Sequence, residues 1–386
     1  MFVLRKILKT LLKQSFRASI CSFVKMKMQE CLPCCCIVFW GSLTKLPKPP
    51  IIKLFHKKKG ALPAMDSVKH VLVVAPVTED HRKRLVCKFP SLQFTFTTPS
   101  EATDEQIAAA DAVFGNLTPA RIQASERLRL LQLNSAGADG YIIPGVLHKD
   151  TALANATGAY GLTISEHMMG LLLMLYKKLY LYRDYQANCV WGEAGSVKTL
   201  QGAVVLVLGT GNIGTEFAKR VKGFGAYVIG VRRTEGELPS CYDEVHLVSE
   251  LDSLLPRADV VAMSLPGTPE TRHIIDEHAL SLMKDDAVLI NVGRGSAVDG
   301  EALCDAMEQG KLWGAALDVT EPEPLPPEHR MWKVPNLLIT PHAAGGFHLE
   351  LTLDYIVGIF ERNLTHLLNG EPFENLVDFQ TGYRKK

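Results

Sequence analysis

From about residue 70 onward the chain alternates short, continuous apolar runs with longer amphipathic ones. "HVLVVAP", "AVFGN" and "LRLLQLN" are brief apolar stretches closed by turn formers, the pattern of strands buried on both faces of a parallel sheet. Between the first two lies "TDEQIAAAD", which predicts a helix, with Thr103 as N-cap and acids in the first turn. "TISEHMMGLLLMLYKKLYLYRDYQ" predicts one long helix at a domain junction. Its apolar residues are too numerous for a single stripe, so both sides are expected to be covered. Lys177, Lys178, Arg183 and Asp184 within it argue against a membrane span. "AVVLVLG", "AYVIGV", "DVVAMSLP", "AVLINVG", "GAALDV" and "NLLITP" follow, alternating with helical segments, before a last helix in "LELTLDYIVGIFERNLTHLL". Six such strands between helices specify a doubly wound α/β sheet.

The first 64 residues break this pattern. "MFVLRKILKTLLKQSFRASI" places Arg5, Lys9, Lys13 and Arg17 four apart on one helical face, with Leu4, Ile7, Leu8, Leu11 and Leu12 on the apolar side. A basic amphipathic N-terminus without acids resembles a mitochondrial presequence. The alternative is an upstream extension that the folded protein does not use, with "MDSVKHVLVVAP" at Met65 as the start of the enzyme proper. The apolar run around "CLPCCCIVFW" is shorter than the roughly 20 residues a membrane span needs. "KLPKPPIIKLFHKKKG" reads as a disordered basic linker. Domain boundaries are therefore expected at 1–64 (extension), 65–165 with 346–386, and 166–345.

Composition changes this picture in one respect. At 386 residues and 47% hydrophobic, the chain has room for two ordinary globular domains. Its net charge of +1 points to no nucleic-acid partner, but it is unevenly spread. Residues 1–64 hold thirteen of the 42 Lys and Arg and one acid, Glu30, so the remainder carries a net −11. Five of the nine cysteines also lie there. Cys87, Cys189, Cys241 and Cys304 are scattered, without metal-ligand spacing or a disulfide framework, which suits a reducing, cytoplasmic setting. No metal site is expected.

The strongest local signal is "VLGTGNIGTEFAKRVKGFGAYVIGVRRTEG". Gly209, Gly211 and Gly214 stand in G-x-G-x-x-G spacing, after a strand pattern and at the head of a helix pattern. The first glycine permits a tight turn, the second lets backbone approach a pyrophosphate, and the third lets helix and sheet pack closely. Free N–H groups at the helix start, around Asn212 and Ile213, would face the phosphates. An NAD-binding unit would end its second strand on Asp or Glu, to accept from the adenosine ribose hydroxyls. Here Arg232 and Arg233 stand there. An arginine cannot accept, but it binds a phosphate through charge-assisted bonds. The expected coenzyme is therefore NADP(H), with NAD(H) possible. Two solvated surface arginines are the bland alternative.

The chain from about Met65 onward resembles the D-isomer-specific 2-hydroxyacid dehydrogenases, particularly the glyoxylate/hydroxypyruvate reductase-like members. The resemblance rests on "NSAGADG", "GTGNIG", "SLPGTPETRHII", "LINVGRGSAVDGEAL", "ALDVTEPEPLP" and "ITPHAAGG" in that order. It implies two Rossmann-like/flavodoxin-like domains with parallel sheets, a substrate domain and a coenzyme domain, and an active site in the cleft between them. It implies that Arg294, Glu323 and His342 form the catalytic set. Asp318 would bind the nicotinamide carboxamide, Leu265 and Pro266 the adenosine side, and Val292, Gly293 and Arg294 the nicotinamide ribose side. Backbone N–H groups at Ala136 and Gly137 would grip the substrate carboxylate.

Reduction of a 2-keto acid asks for the same residue types. It needs a proton donor near neutrality (His342), a carboxylate to hold the ring and favour its protonated form (Glu323), and a cation for carboxylate and keto oxygen (Arg294). Position 323 is Glu rather than the Gln of formate dehydrogenases, which counts against formate. Two alternatives stay open. One is a 3-phosphoglycerate dehydrogenase, whose longer versions carry regulatory domains after the catalytic one. The other is a corepressor-like dinucleotide-binding interaction protein, against which Arg232 argues. Trp332, Tyr160 and Phe347 are candidate pocket walls, with core packing an equal reading. A homodimer joined near residues 163–185 is expected, and no membrane partner.

Overall fold

The structure is a computed structural model that describes residues 68–380, apart from 124, 126, 139, 347 and 348. The expectations for the basic N-terminal segment and for Phe347 lie outside the described residues. Two parallel sheets organise the chain. The first contains β1 (His70–Val73), β2 (Gln93–Phe96), β3 (Ala112–Phe114), β4 (Leu130–Gln132) and β5 (Ala152–Ala154), in the order β2-β1-β3-β4-β5. Its connections carry α1 (Glu79–Lys88), α2 (Asp104–Ala109) and the single turn α3 (Pro119–Ile122). Two helices, α4 (Gly161–Tyr176) and α5 (Leu179–Ala187), lead to the second sheet.

That sheet begins with β6 (Val204–Leu208), α6 (Asn212–Gly223), β7 (Tyr227–Arg232) and β8 (Glu244–Leu247). After α7 (Leu251–Leu254) come β9 (Val260–Met263), α8 (Glu277–Leu282), β10 (Val288–Asn291), α9 (Gly300–Glu308), β11 (Gly314–Leu317) and β12 (Leu337–Ile339). Its order is β12-β11-β10-β9-β6-β7-β8, and every pairing in both sheets is parallel. The α/β class with doubly wound parallel sheets is as the sequence predicts.

Strands β2, β5 and β8 were not anticipated, and all three are edge strands. β2 and β8, each paired on one side only, keep polar residues, and β5 is a three-residue "ALA" too short to form a run. β8 reads "EVHL" and is half-buried throughout, so it lacks the apolar run that marks β6, β9 or β10. The α2 helix starts as predicted: the Thr103 hydroxyl accepts from the Gln106 N–H, and Gln106 Oε1 accepts from the Thr103 N–H.

The single long helix expected after residue 163 is a correction. It breaks at Lys178, whose φ is +53°. Lys177 and Lys178 direct their ammonium groups to the carbonyls of Lys198 and Ala194 at 2.6 and 2.8 Å, so the returning segment draws the chain out of its helical path. Only α4 is covered: Met168, Leu172 and Leu175 are fully enclosed, whereas α5 buries no residue. α10 (Glu350–Asn369) returns to the first sheet. Phe360 stacks on Phe114 with ring centroids 4.3 Å apart, and the Asn363 amide donates to Gln132 at 2.7 Å. The following tail pairs with β5 at Ala154 and Leu376. One continuous core joins Val71 and Phe114 of the first sheet, α4, and Val205, Val260 and Ile290 of the second.

Candidate active site

An open parallel sheet offers its crevice beyond the carboxyl ends of the strands, where the strand order reverses. In the seven-stranded sheet that place lies between β6 and β9. β6 ends at Leu208, and Gly209 turns the chain at φ +100°. Gly211 caps α6 with nothing within 4 Å of where a Cβ would stand, so one face of the turn is clear. Gly214 is the opposite case: a Cβ would sit 2.0 Å from the Gly209 carbonyl oxygen. The helix can therefore rest on the turn only without a side chain. No side chain caps α6, so its first N–H groups, around Asn212 and Ile213, present the positive end of the helix dipole to that clear face. A clear face beside uncapped N–H groups fits a dinucleotide pyrophosphate.

Neighbouring strand ends close on the same turn. A Cβ at Gly293 would lie 2.4 Å from the Leu265 carbonyl oxygen, and one at Gly209 would lie 3.3 Å from Leu265 Cδ2. Gly209, Leu265 and Gly293 are thus brought together. Pro266 shapes its loop by accepting from the Thr271 hydroxyl at 2.7 Å, while Val292 is buried in the core. Arg232 ends β7 with its guanidinium turned onto its own loop. Nη1 donates to Glu237 O at 2.9 Å and Nη2 to Gly236 O, whereas Nε is buried without a partner. Arg233 is near Glu270, whose carboxyl is held below its ordinary value by the Thr268 hydroxyl first, with the Arg233 charge a smaller contributor.

The pair formed by Glu323 and His342 stands after β11 and β12. The Nδ1–H of His342 donates to Glu323 Oε1 at 2.6 Å; a carboxylate only accepts, so Nδ1 carries the proton and Nε2 remains for other chemistry. Both side chains are about half exposed. His342 has φ +52°, a left-handed conformation uncommon outside glycine, held by its N–H bonding to Asp318 O at 2.8 Å and Thr340 O at 3.0 Å. Asp318 is buried, and its carboxylate fastens the same segment. Oδ1 accepts from the Thr340 hydroxyl at 2.6 Å and the Ala343 N–H at 2.9 Å, and Oδ2 from the Ala344 N–H at 3.1 Å. His167 on α4 meets the Thr340 hydroxyl at 3.1 Å. In this structure Asp318 therefore orders the loop that carries His342.

Arg294 follows Gly293 and donates from Nη1 to Gly293 O at 2.8 Å. The turn is set by the buried Asn291, whose amide donates to Arg294 O at 2.8 Å and whose Oδ1 accepts from Gly293 N–H at 3.0 Å. The next residue, Gly295, abuts the Glu323 loop: a Cβ would stand 2.0 Å from Thr320 O. The Arg294 and Glu323 loops are hence in backbone contact.

In the five-stranded sheet, the loop after β4 carries Ala136 and Gly137. Asn116 Oδ1 accepts from Asn134 N–H at 3.1 Å, the Asn155 amide donates to Ala136 O at 2.8 Å, and the Tyr160 hydroxyl donates to Asn134 O. The N–H groups of Ala136 and Gly137 have no acceptor among the described residues. Tyr160 is thus a buried brace, and Trp332 is half exposed with its indole N–H on Pro326 O at 2.9 Å. Sequence reasoning missed Asn116, Asn155, His167, Asn291 and Thr340. Each acts by reaching across to a loop that is distant in the chain or folded back by a turn, and none has a spacing that marks it. Among the described residues no group of three His, Cys, Asp or Glu could hold a metal ion, and no helix is long and apolar enough to cross a membrane.

Residues 169–344 match the family model described as D-isomer specific 2-hydroxyacid dehydrogenase, NAD binding domain. Glyoxylate/hydroxypyruvate reductase B of Pectobacterium carotovorum subsp. carotovorum is 30% identical over 326 residues, covering 80% of this chain and 98% of that protein. The crystal structure of a D-isomer specific 2-hydroxyacid dehydrogenase family protein from Aeromonas salmonicida subsp. salmonicida is 33% identical, with a TM-score of 0.73 over 81% of this chain and all of that one. A D-isomer specific 2-hydroxyacid dehydrogenase from Xanthobacter autotrophicus, solved with NADPH and MES, is 25% identical with a TM-score of 0.70, over 82% of this chain and all of that one.

Proposed function

This chain belongs to the D-isomer-specific 2-hydroxyacid dehydrogenases, and we propose that it reduces a small 2-keto acid of the glyoxylate/hydroxypyruvate type to the D-2-hydroxy acid with NADPH. The observation that carries this reading is the 2.6 Å His342–Glu323 pair, placed at the carboxyl edge of the sheet whose first turn forms the glycine cradle. Gly209, Gly211, Asn212, Ile213 and Gly214 would hold the pyrophosphate. Leu265 and Pro266 would lie toward the adenosine, and Val292, Gly293 and Asp318 toward the nicotinamide. When bound, the reduced nicotinamide supplies the hydride. His342 gives a proton to the carbonyl oxygen as negative charge develops there, and Glu323 stabilises the charged ring before transfer. Arg294 binds the substrate carboxylate and polarises the carbonyl, and the N–H groups of Ala136 and Gly137 hold the carboxylate from the other sheet. Residues 65–165 with 346–386 thus serve the substrate, and 166–345 the coenzyme.

The choice of NADPH rests on the two arginines that end β7. Binding a 2′-phosphate asks Arg232 to exchange at least one carbonyl of its loop for phosphate oxygen, an exchange that its unpartnered Nε favours. The Xanthobacter relative was solved with NADPH, and the Pectobacterium relative is named for the same substrates. A homodimer fits the exposed apolar side chains of Leu179, Tyr182, Val190 and Trp191 on and just after α5. A cytoplasmic setting fits the scattered free cysteines. The test is a steady-state panel of glyoxylate, hydroxypyruvate and 3-phosphohydroxypyruvate with each coenzyme. Higher kcat/KM with NADPH and an unphosphorylated acid is expected; a clear preference for the phosphorylated acid or for NADH would refute the respective part.

A further inference from the structure

Between β9 and α8 the segment 264–275 touches two of the loops just described. Its backbone is stitched to the Arg294 loop: His273 N–H donates to Ser296 O at 2.8 Å, Ile275 N–H to Ala297 O at 3.1 Å, and Ile275 bridges Val298 in parallel. His273 adopts φ +48° there, which turns the chain so that two successive side chains reach the loop after β11. Arg272 Nη1 donates to Glu321 Oε1 at 2.8 Å, and His273 Nε2 lies 3.4 Å from Glu321 Oε2. The charged groups facing this cluster are Arg272, His273, Glu321 and Asp299, whose Oδ2 is 3.8 Å from His273 Nδ1. The Arg272 guanidinium holds the Glu321 carboxyl below the usual carboxylate range, in line with a persistent pair. Glu321 is two residues before Glu323, and the Thr320 hydroxyl donates to Pro322 O at 2.8 Å, so the loop between them is short and internally tied.

We propose that Arg272 and His273 are positioning residues for proton transfer: by gripping both oxygens of Glu321 they fix the 320–323 loop, and so hold the Glu323 carboxylate against His342. This rests on the reading of Glu323 and His342 as the proton-handling pair. An exposed ion pair adds little stability. Its effect here is geometric, because one segment is bonded to the Arg294 loop through its backbone and to the Glu323 loop through its side chains. The substrate-polarising cation and the proton donor's partner then keep a common register. A displacement of about 1 Å in such a constellation costs up to roughly a hundredfold in rate.

The test is the double variant Arg272→Ala/His273→Asn of the full chain. Asparagine tolerates the left-handed backbone at 273, so the turn is kept while the grip on Glu321 is lost. In a crystal structure of the variant the 320–323 loop should be displaced, and the His342 Nδ1–Glu323 Oε1 contact, 2.6 Å in the native protein, should lengthen by about 1 Å. The kcat for keto-acid reduction should fall by roughly tenfold with the coenzyme Kd unchanged, and the alkaline limb of the rate profile should move to lower pH, the direction expected of Glu323→Gln, which takes the negative charge from beside the ring. Arg272→Lys, which keeps a charge on Glu321, should recover most of the loss. An unmoved loop with the 2.6 Å contact intact overturns the inference. So does a displaced loop with an unmoved alkaline limb, when Glu323→Gln moves it. If Glu323→Gln itself leaves the limb in place, the proton-pair reading falls, and this inference with it.

Discussion

Replacing Gly211 and Gly214 separately by alanine should divide stability from coenzyme binding. Gly211 has φ −73° and ψ −164°, a backbone any residue adopts, and an added methyl would meet no atom within 4 Å. Gly211→Ala should fold normally. Its unfolded chain loses freedom, a gain of about 0.4–1 kcal/mol, or roughly 1–3 °C in a unit of this size. The methyl would nevertheless occupy the clear face in front of the α6 N–H groups, where a pyrophosphate must come within hydrogen-bond distance of backbone. Loss of two charge-assisted bonds at roughly 1.5–3 kcal/mol each weakens coenzyme binding by about two to four orders of magnitude. Gly214→Ala differs because its methyl would stand 2.0 Å from the Gly209 carbonyl oxygen and 3.0 Å from Val207 Cγ1. Carbon and carbonyl oxygen need about 3.2 Å, so helix and turn must part by about 1 Å. The expected destabilisation is roughly 1–3 kcal/mol without any ligand present. Thermal melting of the coenzyme-free protein, paired with NADPH titration by nucleotide fluorescence, reads both effects. Native-like NADPH affinity in Gly211→Ala would refute the placement of the pyrophosphate at that face.

Further outcomes follow from the same structure. His342→Ala should lower kcat for keto-acid reduction by roughly 10²–10⁴-fold with little change in NADPH Kd, measured by stopped-flow and titration. Arg232→Asp should reverse the coenzyme ratio toward NADH, read as kcat/KM for each; an unaltered ratio would leave Arg232 as a loop fastener. The Glu244 carboxyl is held at about 2, by Arg257 first and then by His246 and Tyr227. A depressed carboxyl contributes stability above its ordinary value of 4.5 that is lost as pH falls toward 2. The melting-temperature gap between the native protein and Glu244→Gln should therefore be widest above pH 5 and close below about pH 2, and a gap independent of pH would count against that pairing. A chain beginning at Met65 should remain soluble and bind NADPH as the full chain does, because buried packing already includes Val68 and Val71; expression only as aggregates would show otherwise.

What the sequence by itself determined is what single residues or short repeats constrain. Continuous apolar runs identify β1, β3, β4, β6, β7 and β9–β12, because strands inside a covered sheet are built mostly of apolar side chains, the buried Gln132 and Asn291 being exceptions. The glycines at 209, 211 and 214 are legible because a missing Cβ is the only chemistry that satisfies a turn, a clear face and a 2.0 Å approach at once. Glu323 and His342, nineteen residues apart in the chain, were named through the likeness of their motifs, and the structure brings them to 2.6 Å. The tertiary structure alone decided the rest. Strands β2, β5 and β8 exist because a neighbouring strand offers a hydrogen-bonding edge, a cause outside their own residues. The break at Lys178 arises where two lysines find carbonyls at 194 and 198. The bonds of Asp318 to 340–344 and of Arg272 and His273 to Glu321 are made across loops from different strands, while Asn291 folds back onto its own Arg294 turn. Parallel strands place all these loops at one edge of the sheet, and only that shared edge lets residues far apart in sequence act on the same few ångströms of space.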